Sequence, residues 1–320
     1  MDFLRAFTFS LLMMLFITPK LMQLAYKIDY LEKPKIDCER KIHNEAKPYL
    51  AGVGIFFSFW IAYFSINPVC NIKNIIIFLS SLLIFIVGMF DDYYKIKKKD
   101  LKALPKMIFQ LLACILVYEA SGVKFSGITN PFDGSYVVLP IWLQFTLTIC
   151  WLFGVTTVIN FIDGMDGLAG GITCISSCTL FLVALVKNDL SSALMAIILV
   201  GICLGYLKYN KFPSKILMGD SGATFLGFIL GIISLDGAFK QATAISIFIP
   251  ILVLGLPIFD NIFVLFKRIH EGRPIYIGDA SQIHFRLLAK GLNQKQVVYL
   301  LYLACACLNL SAIVLLFLKI

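Results

Sequence analysis

The chain has 320 residues, of which 59% are hydrophobic and only 15% charged. A soluble domain carries about 45–50% apolar and about 25% charged residues, so a purely aqueous surface is excluded and the main solvent is lipid. The excess of 28 Lys and Arg over 19 Asp and Glu, a net +9, would suggest nucleic acid in a soluble chain; here it indicates basic loops on the cytoplasmic side of a membrane and no nucleic-acid partner.

A membrane span needs about 20 apolar residues. About ten segments meet that need, at roughly 3–26, 50–66, 74–90, 104–120, 139–159, 168–187, 191–208, 221–236, 241–266 and 297–318. The expected fold is all-α: a polytopic helical bundle of about ten transmembrane helices, with residues 1–320 forming one membrane-embedded domain. The first segment starts with Asp2 and Arg5 like a signal peptide. It lacks a small-residue cleavage site and continues from Pro19 to Tyr26, so it is expected to be a span.

Charge orders these spans. The loops at roughly 27–49, 91–103, 160–167, 209–220 and 267–296 hold nearly all the Lys and Arg, whereas the alternate loops carry about one base each, at Lys73, Lys124, Lys187 and Lys240. By the positive-inside rule the first set is cytoplasmic and both termini lie outside. The nine cysteines form no CxxC pair and lie mostly in apolar runs, where a free thiol behaves as a small apolar residue.

The carboxylates Asp91, Asp92, Asp163, Asp166, Asp220 and Asp279 all map to cytoplasmic span ends or the adjoining loops. Ionisable groups at membrane depth are costly and are functional candidates by default. In chain order, the first basic loop contains Arg40-Lys41-Ile42-His43, which by itself is a solvated loop or an anionic-lipid contact. Asp91-Asp92 ends the third segment. Two adjacent acids repel each other, and a divalent cation or a bound cationic group relieves that repulsion; pairing with Lys95 to Lys99 is the alternative.

The run Asn160-Phe161-Ile162-Asp163-Gly164-Met165-Asp166-Gly167-Leu168-Ala169-Gly170-Gly171 carries the strongest signal. Asn and Asp recur every third residue, and the glycines let the backbone turn tightly and approach a ligand. Oxygen ligands beside exposed backbone N–H groups suit Mg²⁺ and phosphate together. Met218-Gly219-Asp220-Ser221-Gly222 opens the eighth segment, where Asp220 and Ser221 can cap the helix and Asp220 is equally an oxygen ligand for a metal, the two roles being compatible. In the last basic loop Arg273, His284 and Arg286 suit a diphosphate, and Phe285 or Tyr276 could stack on a base; an interfacial amphipathic helix is the other reading.

With these segments assembled, the chain resembles the polyprenyl-phosphate N-acetylhexosamine-1-phosphate transferases, which include the phospho-N-acetylmuramoyl-pentapeptide transferase. The resemblance runs from Asp37 to about Gln296. Asn160 to Gly171 is similar to N-x-x-D-G-x-D-G-L-x-G-G, Gly219 to Gly222 to G-D-[SAV]-G, and Asp91-Asp92 to the family's aspartate pair. Lys106 and Gln110 match K-x-x-x-Q, and Arg40 to His43 matches R-K-x-H. The family's H-x-H-H departs here to Gln282, His284 and Phe285.

The resemblance implies an Mg²⁺-dependent enzyme, with Mn²⁺ a permitted substitute, on the cytoplasmic face of the cell inner membrane. It would transfer a sugar 1-phosphate from a UDP-N-acetylhexosamine to undecaprenyl phosphate, amid membrane lipid, and release UMP; a homodimer is allowed but not specified. Asn160 and Asp220 are then the expected metal ligands. Asp91, Asp92, Asp163 and Asp166 are the catalytic candidates, and Lys41, His43, Lys106, Arg273, His284 and Arg286 the substrate-binding ones. Two rivals stand. A membrane prenyltransferase would want acidic boxes at four-residue spacing, where this chain has three. A cation transporter would place its acids near the bilayer midplane.

Overall fold

The computed structural model describes residues 2–33, 45–67, 71–97, 103–130, 135–239, 244–273 and 280–318. Its helices are α1 (Asp2–Lys27), α2 (Ala51–Ile66), α3 (Ile72–Ile96), α4 (Ala103–Leu116), α5 (Ile141–Ile162) and α6 (Leu168–Val186). They continue with α7 (Leu190–Asn210), α8 (Gly219–Phe239), α9 (Ala244–Val253), α10 (Gly255–His270), α11 (Ile283–Ala289) and α12 (Gln294–Leu318). Over their described residues, the ten apolar segments fall mainly on helix.

Among the described residues, seven helices are long and apolar enough to cross a membrane, or eight if α9 and α10 form one bent span. α2 falls short because its 16 residues reach only about 24 Å at 1.5 Å each. Two short hairpins qualify the all-α expectation. β1 (Leu31–Glu32) pairs antiparallel with β2 (Lys47–Pro48), and β3 (Gly127–Thr129) with β4 (Tyr136–Val138). The first hairpin carries Lys47 into the protein interior.

The ninth segment is not one straight helix: α9 and α10 meet at an 80° bend. The cause is local. Pro257 has no N–H for the carbonyl of Val253, four residues earlier. That carbonyl instead accepts from Ser176 Oγ at 2.9 Å on α6 and from Asn309 Nδ2 at 3.2 Å on α12. A broken helix survives in an apolar interior only where neighbours satisfy the freed backbone groups in this way.

α3 and α8 run antiparallel and set the frame of the site. Lys73, at the start of α3, pairs with Asp236 near the end of α8. At the other end Asp92 meets the backbone of Asp220 and Ser221. The helices touch closely there: a Cβ on Gly88 would lie 2.4 Å from Ser221 Cα. An aromatic wedge holds α2 against both, with Phe56 stacked on Phe85 at 4.4 Å and edge-on to Phe225 at 5.2 Å. α3 also continues six residues past its expected end, so Asp91, Asp92 and Lys95 lie on helix rather than loop. The ion pair of Lys95 with Asp91 at 3.1 Å, one turn apart, supports that last turn.

Candidate active site

Adjacent residues on a helix point about 100° apart, and Asp91 and Asp92 accordingly do different things. Asp92 is fully buried. It accepts from Asp220 N at 2.7 Å, Ser221 N at 3.0 Å and Ser221 Oγ at 2.6 Å. It is therefore the cap of α8, supplied from a neighbouring helix in place of Asp220 or Ser221 themselves, and a carboxylate suits the positive end of a helix. Gly219 has φ +69°, and a Cβ there would sit 2.5 Å from Asp92 Oδ2. Only glycine fits both the conformation and the space.

Asp91 instead faces Lys106 and Lys95, each at 3.1 Å. Both lysines also reach Asp220: Lys95 Nζ donates to Oδ1 at 2.6 Å, and Lys106 Nζ donates to Oδ2. Asn160 Nδ2 lies 3.4 Å from the same Oδ2. Four charges of alternating sign and one amide, drawn from α3, α4, α5 and α8, thus meet at one end of the bundle. The repulsion expected between Asp91 and Asp92 is relieved on two sides: ammonium groups pair with Asp91, and the first N–H groups of α8 donate to Asp92.

The Asn160 to Gly171 run does not keep its three polar side chains on one helical face. α5 ends at Ile162, and Asp163 follows as its C-cap. Asn160, in the last helical turn, faces Asp220. Asp166, almost fully buried, accepts from Ser214 N at 2.9 Å, Ser214 Oγ at 2.7 Å and Lys47 Nζ at 3.3 Å. Asn210 fastens the same turn by accepting from Gly167 N at 2.8 Å and donating to Ile216 O at 2.8 Å. The carboxylate of Asp163 has no hydrogen-bond partner among the described residues. Burial, reinforced by the charge of Asp220, pushes its pKa well above the usual carboxylate range.

The basic residues of the last loop each have a different neighbour. Arg273 pairs with Glu271 at 3.2 Å. Arg286 donates from Nη2 to Asp260 at 2.9 Å and lies over the Phe263 ring at 4.0 Å. His284 is fully buried against the Asn160 to Gly171 turn, where a Cβ on Gly164 would meet its Nε2 at 2.2 Å. Neither ring nitrogen has a hydrogen-bond partner among the described residues, and burial lowers its pKa to about 4. His284 is therefore neutral at pH 7 and offers a diphosphate no charge in this arrangement. Lys41 and His43 lie outside the described residues, as do Tyr276 and Asp279.

This histidine has a measurable consequence. The unfolded ring, near pKa 6.5, takes up a proton that the folded ring refuses until about pH 4. The stability that His284 contributes is thus fully present above pH 6.5 and is lost as the pH falls from 6.5 to 4. His284→Gln is expected to flatten the fall in melting temperature over that window. Melting curves at half-unit pH steps check this, and an unchanged slope would show that the ring titrates normally.

The sequence does not single out Lys47, Asn210 or Asp260, and Lys95 enters there only as an ion-pair partner of the aspartates. Lys95 had a legible signal, since it stands four residues after Asp91. The other three depend on tertiary contacts between distant segments.

The family model described as glycosyl transferase family 4 matches residues 74–238, from α3 through α8. The probable undecaprenyl-phosphate N-acetylglucosaminyl 1-phosphate transferase of Bacillus subtilis (strain 168) is 36% identical over 310 residues, covering 97% of this chain and 84% of that protein. The chain belongs to glycosyl transferase family 4. The matched stretch of this family 4 glycosyl transferase holds the whole Asp91, Lys95, Lys106, Asn160 and Asp220 cluster. A phospho-N-acetylmuramoyl-pentapeptide-transferase of Prochlorococcus marinus (strain MIT 9215) is 29% identical, over 92% of this chain and 85% of that protein. The undecaprenyl-phosphate alpha-N-acetylglucosaminyl 1-phosphate transferase of Yersinia pestis is 26% identical, over 91% and 78%.

Proposed function

We propose that this family 4 glycosyl transferase moves N-acetylglucosamine 1-phosphate from UDP-N-acetylglucosamine to undecaprenyl phosphate, at the cytoplasmic face of the inner membrane. The observation that carries this reading is the Asp91, Lys95, Lys106, Asn160 and Asp220 cluster at one end of an apolar bundle. A water-soluble diphosphate and a lipid phosphate meet only at a membrane face, and phosphoryl transfer needs mostly positioning and charge neutralisation. The 36% identity to the Bacillus subtilis protein, which is named for N-acetylglucosamine, supports that sugar.

In this reading an oxygen of the acceptor phosphate attacks the donor's β-phosphorus. The bond from that phosphorus to the bridging oxygen breaks, and UMP leaves. Lys106 and Lys95, held by Asp91 and Asp220, present their ammonium groups to the phosphates. Asp91 readies the acceptor, Asp163 is the second catalytic candidate, and Asp92 and Asp166 hold α8 and the turn in place.

The donor set fits a hard cation. Among the described residues no three His, Cys, Asp or Glu side chains form a cluster able to hold a metal ion. Asn160 and Asp220 do supply the one or two protein oxygens that Mg²⁺ commonly takes, once the Asn160 amide presents its oxygen and an ammonium gives way at Asp220. Mg²⁺ or Mn²⁺ held there would neutralise charge on the donor diphosphate.

Purified protein in lipid nanodiscs, given undecaprenyl phosphate, Mg²⁺ and a panel of UDP-sugars, tests the reading by UMP release. Release is expected with UDP-N-acetylglucosamine and only when the lipid phosphate is present. Release with the UDP-muramoyl-pentapeptide alone would overturn the sugar assignment.

A further inference from the structure

Helix α11 has only seven residues, too few to persist through its own hydrogen bonds. Its N-cap residue, Gln282, makes no side-chain cap. The cap comes instead from α10. Both oxygens of Asp260 accept from Ile283 N, at 2.9 and 3.0 Å, and Oδ1 also accepts from Arg286 Nη2 at 2.9 Å. Asp260 is buried, and Phe263, three residues further along α10, carries the Arg286 guanidinium on its ring. One carboxylate and one ring therefore clamp both ends of the first turn of α11. On that same turn His284 packs against Gly164, next to Asp163.

We propose that Asp260 is a positioning residue for the transfer: it fixes α11 on α10 and, through the His284–Gly164 contact, sets the turn that carries Asp163. This rests on the reading of that turn as part of the active site. Asp260 itself need touch neither substrate. Misplacing a reacting group by about 1 Å costs on the order of 10²-fold in rate, so a small helix held by one side chain is an effective control on turnover.

The test uses the full-length protein in nanodiscs and has two readouts. The first is amide hydrogen exchange. In Asp260→Ala, exchange over residues 280–290 and 160–171 is expected to rise at least about ten-fold, with residues 219–230 of α8 unchanged. The second is kinetic. Asp260→Ala is expected to lower kcat/KM for UDP-N-acetylglucosamine by about 10²-fold while leaving the KM for undecaprenyl phosphate within about two-fold. Asp260→Asn keeps a carbonyl oxygen for Ile283 N but loses the charged partner of Arg286, and should fall between wild type and alanine in both readouts. It carries the test if the alanine variant does not fold.

Unchanged exchange over 280–290 would overturn the clamp whatever the activity. Faster exchange there with unaltered donor kinetics would overturn the positioning role. Absence of UMP release by the wild-type protein would be a failure of the functional reading, and the exchange arm would still decide the clamp.

Discussion

Asp220→Ala is expected to abolish turnover, by on the order of 10³-fold or more, while the protein remains folded. Among the described residues, Asp220 is the one group that touches both lysines and the Asn160 amide. Its removal strands two ammonium groups on Asp91 alone. Breaking a buried pair on one side costs about 3–5 kcal/mol, and most of that falls on Lys106, the less exposed of the two lysines. Rotation of either ammonium toward solvent recovers part of the stability but destroys the phosphate-facing geometry. The metal-binding oxygen proposed here is lost in the same step. Asp220→Asn keeps the shape and should retain the fold with a similarly deep loss of rate. Turnover of Asp220→Ala within ten-fold of wild type at low Mg²⁺ would remove Asp220 from the centre of the mechanism.

The second large effect concerns Asp91 and depends on pH. A phosphate monoester has its second pKa near 6, by analogy with phosphoserine. Below that value the acceptor carries a proton that a base must take; above it the acceptor is already a dianion. Asp91→Asn should therefore be severely impaired below about pH 6.5, by roughly 10²–10⁴-fold as expected for loss of a positioned base, and partly rescued at about pH 9. The two lysine pairs of Asp91 offer a competing role, the ordering of Lys95 and Lys106. That role predicts a defect of equal depth at every pH. A kcat profile from pH 5.5 to 9.5 for wild type and Asp91→Asn separates the two.

Apolar run length made the ten long segments legible, but not the seven-residue α11 or the break between α9 and α10. Charge placement singled out Asp91 and Asp220, the Asn/Asp/Gly run added Asn160, the family resemblance added Lys106, and the fold brings these four together. What stayed hidden depended on neighbours far away in the chain. The bend at Pro257 persists because Ser176 and Asn309 take the carbonyl of Val253, and neither residue is near it in sequence. Asp91 and Asp92 look equivalent as letters; the approach of α8 at Gly88 decides which one caps a helix and which faces the lysines. The glycines between Asn160 and Gly171 signal a tight turn, but not where each polar side chain goes. The helix ends at Ile162, so Asn160 and Asp166 turn to different partners. Arg286 and His284 read as free cations for a diphosphate; Asp260 engages the first, and burial neutralises the second.

The fate of the donor's β-phosphorus distinguishes transfer of a sugar 1-phosphate from transfer of the bare sugar. UDP-N-acetylglucosamine labelled at the β-phosphate is incubated with the protein and undecaprenyl phosphate in nanodiscs, and the lipid and aqueous phases are counted. Transfer of a sugar 1-phosphate predicts β-label in the lipid as a diphosphate-linked sugar, with unlabelled UMP in the water. Label recovered in the water as UDP, with the sugar alone on the lipid, would contradict it.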